Sequence, residues 1–244
     1  MRLSELLDIL RKDTLDDYSQ MLDGQPDSIW SPRTLTKHLT EAERIFCRDA
    51  YVLEDDETAA VCTITPVATQ QDYNLHNSII RVLAVTPADS DIDLQHVSYE
   101  TLRIKPTFDP DTPWGSAYSY TESPGRPAYW STDLGNKKLR VRPIPRAQDV
   151  TDIGTFNLRV VRYPLASLDP TEAIPDPEPE INERYHLALL EYVAGKVMMN
   201  ANVDSGSRGG VRQAARDFLA SFYKSVSDAK LELERFHRGP AVVR

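Results

Sequence analysis

The order of segments along this chain constrains its fold more than any single motif does. Patterns typical of amphipathic helices occupy both ends, and the stretch over about 58–168 holds short β-branched and aromatic runs separated by proline, glycine and aspartate. Apolar residues three or four apart indicate helices, and short alternating runs indicate strands. The sequence therefore predicts an α+β protein, in which a helical bundle of N- and C-terminal helices carries a central antiparallel β-sandwich or barrel-like insertion.

The same patterns set the expected domain boundaries. We expect residues 1–57 and 167–236 to form the discontinuous helical bundle and residues 58–166 to form the β domain. Residues 237–244 follow the last apolar position, and chain ends that nothing holds in place are commonly mobile. We expect them to form a flexible C-terminal arm.

Two helices are predicted near the N-terminus. The first spans about 3–11, with Ser4 as its cap and leucines on one face. The second begins at Ser31 and Pro32, which suit the N-cap and the first helical position. The apolar face of the second helix consists of Leu35, Leu39, Ala42 and Phe46.

Two longer helices are predicted toward the C-terminus. Asn182 caps one that runs to about Val203, and the other spans 211–236 with the most regular apolar spacing in the chain. Neighbouring helices joined by a short loop form an antiparallel hairpin. The expected buried positions are Tyr185, Ala188, Leu189, Tyr192 and Met199 in the first, and Val211, Ala215, Phe218, Phe222, Val226, Ala229, Leu233 and Phe236 in the second.

Short strands are predicted through the middle of the chain. The residues that indicate them are β-branched or aromatic and lie between turn signals. The predicted strands cover Val61–Thr65, Tyr73–His76, Ile79–Val85, Leu102–Ile104, Leu139–Val141 and Leu158–Tyr163, with a hairpin turn at Leu134–Lys137 and a long loop or irregular edge over Thr107–Thr121.

The charge of the chain argues against tight nucleic-acid binding. Acidic residues outnumber basic ones, 37 to 28, which gives a formal net charge of −9. A surface of this sign repels DNA and would let DNA slide past, although it also serves ordinary solubility. We expect no membrane-spanning segment, because no apolar run approaches the roughly 20 residues required. Acids within the apolar N-terminal stretch argue against a signal peptide.

No motif for enzymatic chemistry is found. Phosphate loops, dinucleotide fingerprints, paired-histidine zinc motifs and nucleophile elbows are all missing from the sequence. We therefore expect no enzyme activity and no catalytic, cofactor-binding or metal-binding residues. Cys47 and Cys62, placed on a predicted helix and a predicted strand, are expected to be buried, inert thiols of a cytoplasmic protein.

Scattered polar residues are given structural interpretations as well. The acidic run Glu54–Glu57 is expected to be a solvated loop, because consecutive carboxylates point in different directions and bind metals poorly. Of the five histidines, His38 and His186 lie beside acids on predicted helices and are expected at a surface or interface. The other three are His76, His96 and His237.

Three segments leave alternatives open. The proline–acid stretch Ile174–Ile181 is either a stiff linker or a pre-extended docking peptide. The loop Gly206–Gly210 is either a helix connector or an anion site at a helix N-terminus. An aromatic group fits either a core and subunit contact or a carbohydrate-binding surface. Its members are Tyr118, Tyr120, Tyr129 and Trp130.

A string of short motifs resembles one protein family. It comprises Gly125–Trp130, then Leu139–Pro145, then Leu158–Pro164, followed by the proline–acid stretch and a helix beginning at Tyr185. The string is similar to the head-to-tail adaptor family of tailed phages.

This resemblance implies a structural virion protein of the phage neck, made in the host cytoplasm. Such adaptors form a homo-oligomeric ring, usually of twelve copies, beneath the portal protein. The ring would extend the DNA channel, let packaged DNA pass without specific binding, and receive tail, nozzle or stopper proteins during assembly and DNA ejection. The alternative is a carbohydrate-binding or tail-associated β module of a phage particle.

Overall fold

The computed structural model describes residues 1–15, 30–98, 124–132, 137–169, 176–200 and 208–238. Helices and sheets are both present, so the predicted α+β class is confirmed, and the sheets of these residues do not close into a barrel. The chain forms two compact units, a helical unit of Met1–Leu53 with Tyr163–Arg244 and a β unit of Glu54–Arg162. The domain division expected from the sequence stays a prediction, because compactness does not show which parts fold independently.

The helical unit contains four α-helices among its described residues. A single turn of π-helix, Leu10–Thr14, follows the first helix, and a 3₁₀ turn, Glu183–Tyr185, precedes the third. The helices are α1 Leu3–Ile9, α2 Pro32–Ala50, α5 His186–Asn200 and α6 Arg208–Arg238. The predicted loop Gly206–Gly210 is described only over 208–210, which form the start of α6.

The predicted cap of α1 is wrong. Arg2 occupies the N-cap position, and Ser4 lies inside the helix, where its backbone N–H and its hydroxyl both donate to Asp176. Leu3, Leu6 and Leu10 are buried as expected. Ser4 therefore holds a segment that is distant in sequence and does not cap its own helix.

The prediction for α2 is confirmed in detail. The Ser31 side chain accepts a hydrogen bond from the Thr34 backbone N–H, and Pro32 opens the helix. Each residue of the predicted stripe is fully buried. Phe46 from this stripe lies 6.0 Å from the ring of Phe222 and 4.9 Å from that of Tyr185, measured between ring centroids.

Helices α5 and α6 run in opposite directions along each other. Glu191 accepts a hydrogen bond from Ser221, whereas Gly195, one turn later, faces the backbone oxygen of Ala215, which is earlier in α6. A Cβ on Gly195 would lie 2.9 Å from that oxygen and 2.7 Å from Cγ of Leu219, so glycine permits this close approach.

The burial of these two helices agrees with the prediction in part, since several predicted positions, among them Ala188 and Phe218, are only half-buried. The buried residues of α6 include Ala215, Phe222, Val226 and Ala229, which belong to the predicted stripe. In α5 the predicted burial of Met199 is wrong, since its side chain is exposed. Further positions of α5 are buried that no stripe predicted: His186, Leu190, Val193, Ala194 and Val197.

The β unit holds two sheets. In the first, β8 is central, with β4 along one edge and both β1 and β2 along the other; in the second the order is β3-β7-β6-β5. The strands are β1 Glu54–Asp55, β2 Thr63–Ile64, β3 Asp72–Asn74, β4 Ile79–Pro87, β5 Gln95–His96, β6 Tyr129–Ser131, β7 Lys138–Arg142 and β8 Phe156–Arg162. Two short helices complete the unit, α3 Ala59–Cys62 and α4 Ala147–Ile153.

Register places the two ends of the β unit side by side. In the antiparallel β1–β8 pair, Glu54 lies opposite Val161 and Asp55 opposite Val160. The strand with which the chain enters the unit therefore hydrogen-bonds to the strand with which it leaves.

Two predictions for the β region are wrong. The run Val61–Thr65 is not one strand, because Val61 and Cys62 end helix α3, with their N–H groups bonded to the Thr58 carbonyl. The insertion is not purely antiparallel either, since β5 pairs with β6 in parallel. The predicted elements at 102–104 and 107–121 lie outside the described residues, as does most of the predicted turn at 134–137.

Side chains of both sheets meet in one core. Tyr73 of β3 and Phe156 of β8 are in ring contact, with centroids 6.1 Å apart. The same core includes the predicted strand residues Val82, Val85, Leu139, Val141, Leu158 and Val160.

Candidate interaction surface

A buried ion pair occupies the place where the sequence predicted a solvated acidic loop. Asp55 is buried in β1, and its carboxylate accepts a hydrogen bond from Nε of Arg162 at the end of β8. Its other oxygen accepts the backbone N–H groups of Glu57 and Thr58. Burial opposes ionisation, but the hydrogen bonds outweigh it and hold the pKa of Asp55 well below its usual value.

The sequence held a signal for this pair. Strand periodicity puts Arg162 in phase with Phe156, Leu158 and Val160, all of which are buried, so an inward-facing guanidinium was foreseeable. An inward-facing cation requires a buried carboxylate partner. The pair is structural, because Asp55 joins β1 to β8 through Arg162 and accepts two backbone hydrogen bonds from the segment that follows β1.

The proline–acid stretch is fixed on the helical unit over its described part, 176–181. The Pro177 carbonyl accepts the N–H of Leu3, and Asp176 accepts both hydrogen bonds from Ser4. The N–H of Glu180 donates to Glu43, a carboxylate buried in α2. These contacts favour a structural strap over a freely presented docking peptide.

The prediction of a surface position for His186 is wrong. Its side chain is buried, and Nε2 lies 2.9 Å from the backbone oxygen of Ile181. Burial lowers its pKa, so the neutral ring fills a core position at the start of α5. His38 agrees better with expectation, since its Nδ1 lies 3.3 Å from Glu41.

The other candidate groups also have structural environments. Both cysteines are buried and free, and burial raises the pKa of the Cys62 thiol to about 11. Trp130 is only 2% exposed, and its indole N–H donates to the Leu94 carbonyl, so it is a core residue and not a platform for sugar stacking. Tyr118 and Tyr120 lie outside the described residues.

One surface pocket and the spacing of possible metal ligands bear on small-molecule and metal binding. A surface pocket beside Ile64 and His76 has a volume of about 210 Å³, below the size usual for small-molecule sites. Within the described ranges, no group of three or more His, Cys, Asp or Glu side chains could hold a metal ion. No helix of those ranges is long and apolar enough to cross a membrane.

A surface of the helical unit combines cations with tyrosines. Arg44 and Arg48 lie one turn apart on α2, Arg44 lies 5.6 Å from the ring centre of Tyr163, and Lys230 lies 5.6 Å from that of Tyr51. The side chain of Arg48 is 54% exposed and forms two hydrogen bonds with Asp49. We call this surface the cation–tyrosine face; it comprises Arg44, Arg48, Tyr51, Tyr163, Tyr223 and Lys230.

The cation–tyrosine face has the chemistry of a protein contact. Tyr223 is 49% exposed, and it lies, like Tyr163, near Arg48. Tyrosine and arginine are enriched at the energetic centres of protein interfaces because both offer large contact area and directed polar groups. Sequence patterns missed this face, since its residues come from α2, α6 and the residues that directly follow α2 and β8, and they meet only in the folded chain.

A second surface lies on the β unit. Residues 88–93, which we call the acidic loop, follow β4 and carry Asp89, Asp91 and Asp93 around Ile92, whose side chain is 76% exposed. Asp93 accepts a hydrogen bond from the Thr86 hydroxyl, and Asp89 pairs with Arg126 at 2.8 Å. The loop therefore presents an apolar side chain amid carboxylates on an ordered backbone.

Comparison with known proteins gives one family. The family model described as SU10 adaptor protein matches residues 1–244, the whole chain. No curated protein matches the chain.

Proposed function

This chain belongs to the SU10 adaptor protein family, and we propose that it forms a ring beneath the portal of a tailed phage. Membership of the family indicates a phage structural adaptor, a component of the virion that interacts with portal and tail components. The whole-chain family match is the observation that carries the proposal. In detail, we propose that the ring has twelve copies, extends the DNA channel and docks the next tail component.

A closed ring needs two different surfaces on each subunit. Neighbours related by rotation contact each other through patches that are unlike but complementary. The cation–tyrosine face and the acidic loop are two such unlike patches on this chain. Their presence supports an assembled role over a monomeric one.

The net charge of −9 supports passage of DNA through the ring. Phosphate binding requires clustered lysine and arginine, and an acidic wall repels the duplex. We propose that packaged DNA crosses the lumen without specific binding.

We further propose that the protein is not an enzyme. The titratable groups with the strongest structural roles, Asp55 and His186, are committed to a buried ion pair and to a backbone contact. A catalytic site would require an acid, base or nucleophile directed into an accessible cleft.

Imaging of the assembled particle tests the ring. Cryo-electron microscopy of purified virions should show density for this chain directly under the portal, with the rotational symmetry of a ring. Purified chain should also co-sediment with assembled portal rings. Virions that lack the chain, or that carry it away from the portal vertex, would contradict the proposal.

A further inference from the structure

The acidic loop and the cation–tyrosine face have complementary chemistry. We propose that the acidic loop of one copy docks on the cation–tyrosine face of a second copy, and that this contact joins neighbours in the assembly. The inference rests on the proposed function, because it identifies the contact that would hold the ring together.

Charge is the first argument. On the cation–tyrosine face, Arg44, Arg48 and Lys230 outnumber Asp49, the carboxylate paired with Arg48. On the acidic loop, three aspartates outnumber Arg126, the cation paired with Asp89. The two surfaces are therefore of opposite sign, which steers their encounter and fixes their orientation. Self-association of either surface is disfavoured by like charge.

Apolar contact is the second argument. Ile92 projects from the loop with 76% of its surface exposed, and Tyr223 offers a half-exposed ring on the face. Interfaces that bind well combine a central apolar anchor with a charged rim. The isoleucine between carboxylates and the tyrosines between cations supply the two halves of that arrangement.

Order is the third argument. The backbone of the loop is held by hydrogen bonds from Ser90 N–H to the Pro87 carbonyl and from Ile92 N–H to the Ser90 hydroxyl. On the face, ring contacts with Arg44 and Lys230 fix two tyrosines. Surfaces that are already ordered lose less conformational entropy on binding.

Topology decides which kind of contact this is. The loop belongs to the β unit and the face to the helical unit, so each copy would use a different unit toward each neighbour. Such a head-to-tail contact repeats from copy to copy and produces a ring when the rotation closes. A two-fold dimer would pair the same patch on both copies, whereas this contact joins two different patches.

Cysteine cross-linking in the full-length chain tests the contact. Native Cys47 and Cys62 are buried, so the unmodified chain is the background control. We would mix differently tagged Ile92→Cys and Tyr223→Cys populations, add a short bis-maleimide, and repeat the test in virions from cells that express both. The cross-linked product should contain both tags, at least tenfold above either same-tag pair.

Position and charge controls make the test specific. Leu187→Cys, exposed on α5, replaces Tyr223→Cys as the matched partner and should give only background yield with Ile92→Cys. Asp91→Lys in one population or Arg48→Glu in the other should reduce the yield at least tenfold, and the two changes combined should restore it. Unchanged thermal melting of each variant shows that the fold is intact.

The outcomes separate this inference from the proposed function. No cross-link above background in purified chain and in virions overturns the inference, as does equal yield with Leu187→Cys. A virion cross-link from Tyr223→Cys to a different protein also overturns it. Specific cross-linking in the purified chain, with the chain absent from virions, would support the contact and contradict the proposed function.

Discussion

Replacing Asp55 by alanine should destabilise the β unit more than any exposed substitution in the chain. The change removes the carboxylate that pairs with Arg162 and accepts the N–H groups of Glu57 and Thr58, while the guanidinium stays buried. Removing one partner of a buried ion pair costs about 3–5 kcal/mol. Asp55→Asn should cost less than alanine, because its amide oxygen still accepts those backbone hydrogen bonds.

Urea denaturation of the full chain measures the effect. With a dependence of about 1–3 kcal/mol per molar urea, the midpoint of the β unit should fall by roughly 2 M in Asp55→Ala. Hydrogen exchange followed by mass spectrometry should show faster exchange along β1 and β8. Asp56→Asn is the matched control, since Asp56 is adjacent and exposed, and it should leave the midpoint within experimental error.

The pH dependence gives an independent check. The pKa of Asp55 is lower in the folded chain than in the unfolded one, so its contribution to stability is present above the unfolded value near 4. The contribution is lost as pH falls through the folded pKa. A midpoint shift below about 0.5 M in Asp55→Ala would refute the assignment of the pair as a major source of stability.

Three further predictions test the helical unit. Gly195→Ala should lower the unfolding free energy by about 1–2 kcal/mol, because overpacking against α6 exceeds the gain in helix propensity. Gly210→Ala is the control: a Cβ there meets open space, so the change should be neutral or stabilising. Thermal melting of both variants measures the difference. Phe222→Asp should cost about 4 kcal/mol or more by placing a carboxylate among buried rings, and an unchanged melting temperature would contradict the packing. Folding lowers the pKa of His186, so protonation of this ring should destabilise the folded chain as pH falls below 6.5. The melting temperature of the wild-type chain should therefore drop more between pH 7.5 and 5.5 than that of His186→Gln. An equal or smaller drop in the wild-type chain would count against this role.

Features coded by local sequence were predictable. The start of α2 depends on Ser31 and Pro32, and its buried face depends on spacing within the helix, so short-range patterns sufficed. Strands β4, β7 and β8 were equally visible, because each carries valine, isoleucine or leucine in a short run that turn residues bound. The apolar stripe of α6 was found for the same reason.

Features that depend on distant partners were not predicted. Ser4 looked like a cap, but its hydrogen-bond partner Asp176 lies on another segment. The sequence predicts a strand where helix α3 forms, because its valine and the following threonines favour strands, whereas hydrogen bonds to the Thr58 carbonyl fix the helical turn. Helix α5 is buried on most of its sides, so its sequence lacks the apolar stripe that distinguishes a buried face from an exposed one. The prediction of an exposed His186 was wrong for this reason.

The candidate interaction surface could be predicted least. The acidic run was recognised, but its second member turned inward to meet Arg162, and only strand phase could have indicated that. The cation–tyrosine face draws residues from segments more than 100 positions apart, and no local pattern connects them.

The pairing of Glu54 with Val161 has a mechanical consequence. Antiparallel partners lie about 5 Å apart, so tension transmitted along the polypeptide enters and leaves the β unit at almost the same point. Such a load would break the hydrogen bonds between β1 and β8 one after another, and it would not act on the core contact between Tyr73 and Phe156. Both chain connections of the β unit therefore lie next to each other. A force on the β unit would not increase the distance between the two points where the chain leaves and re-enters the helical unit.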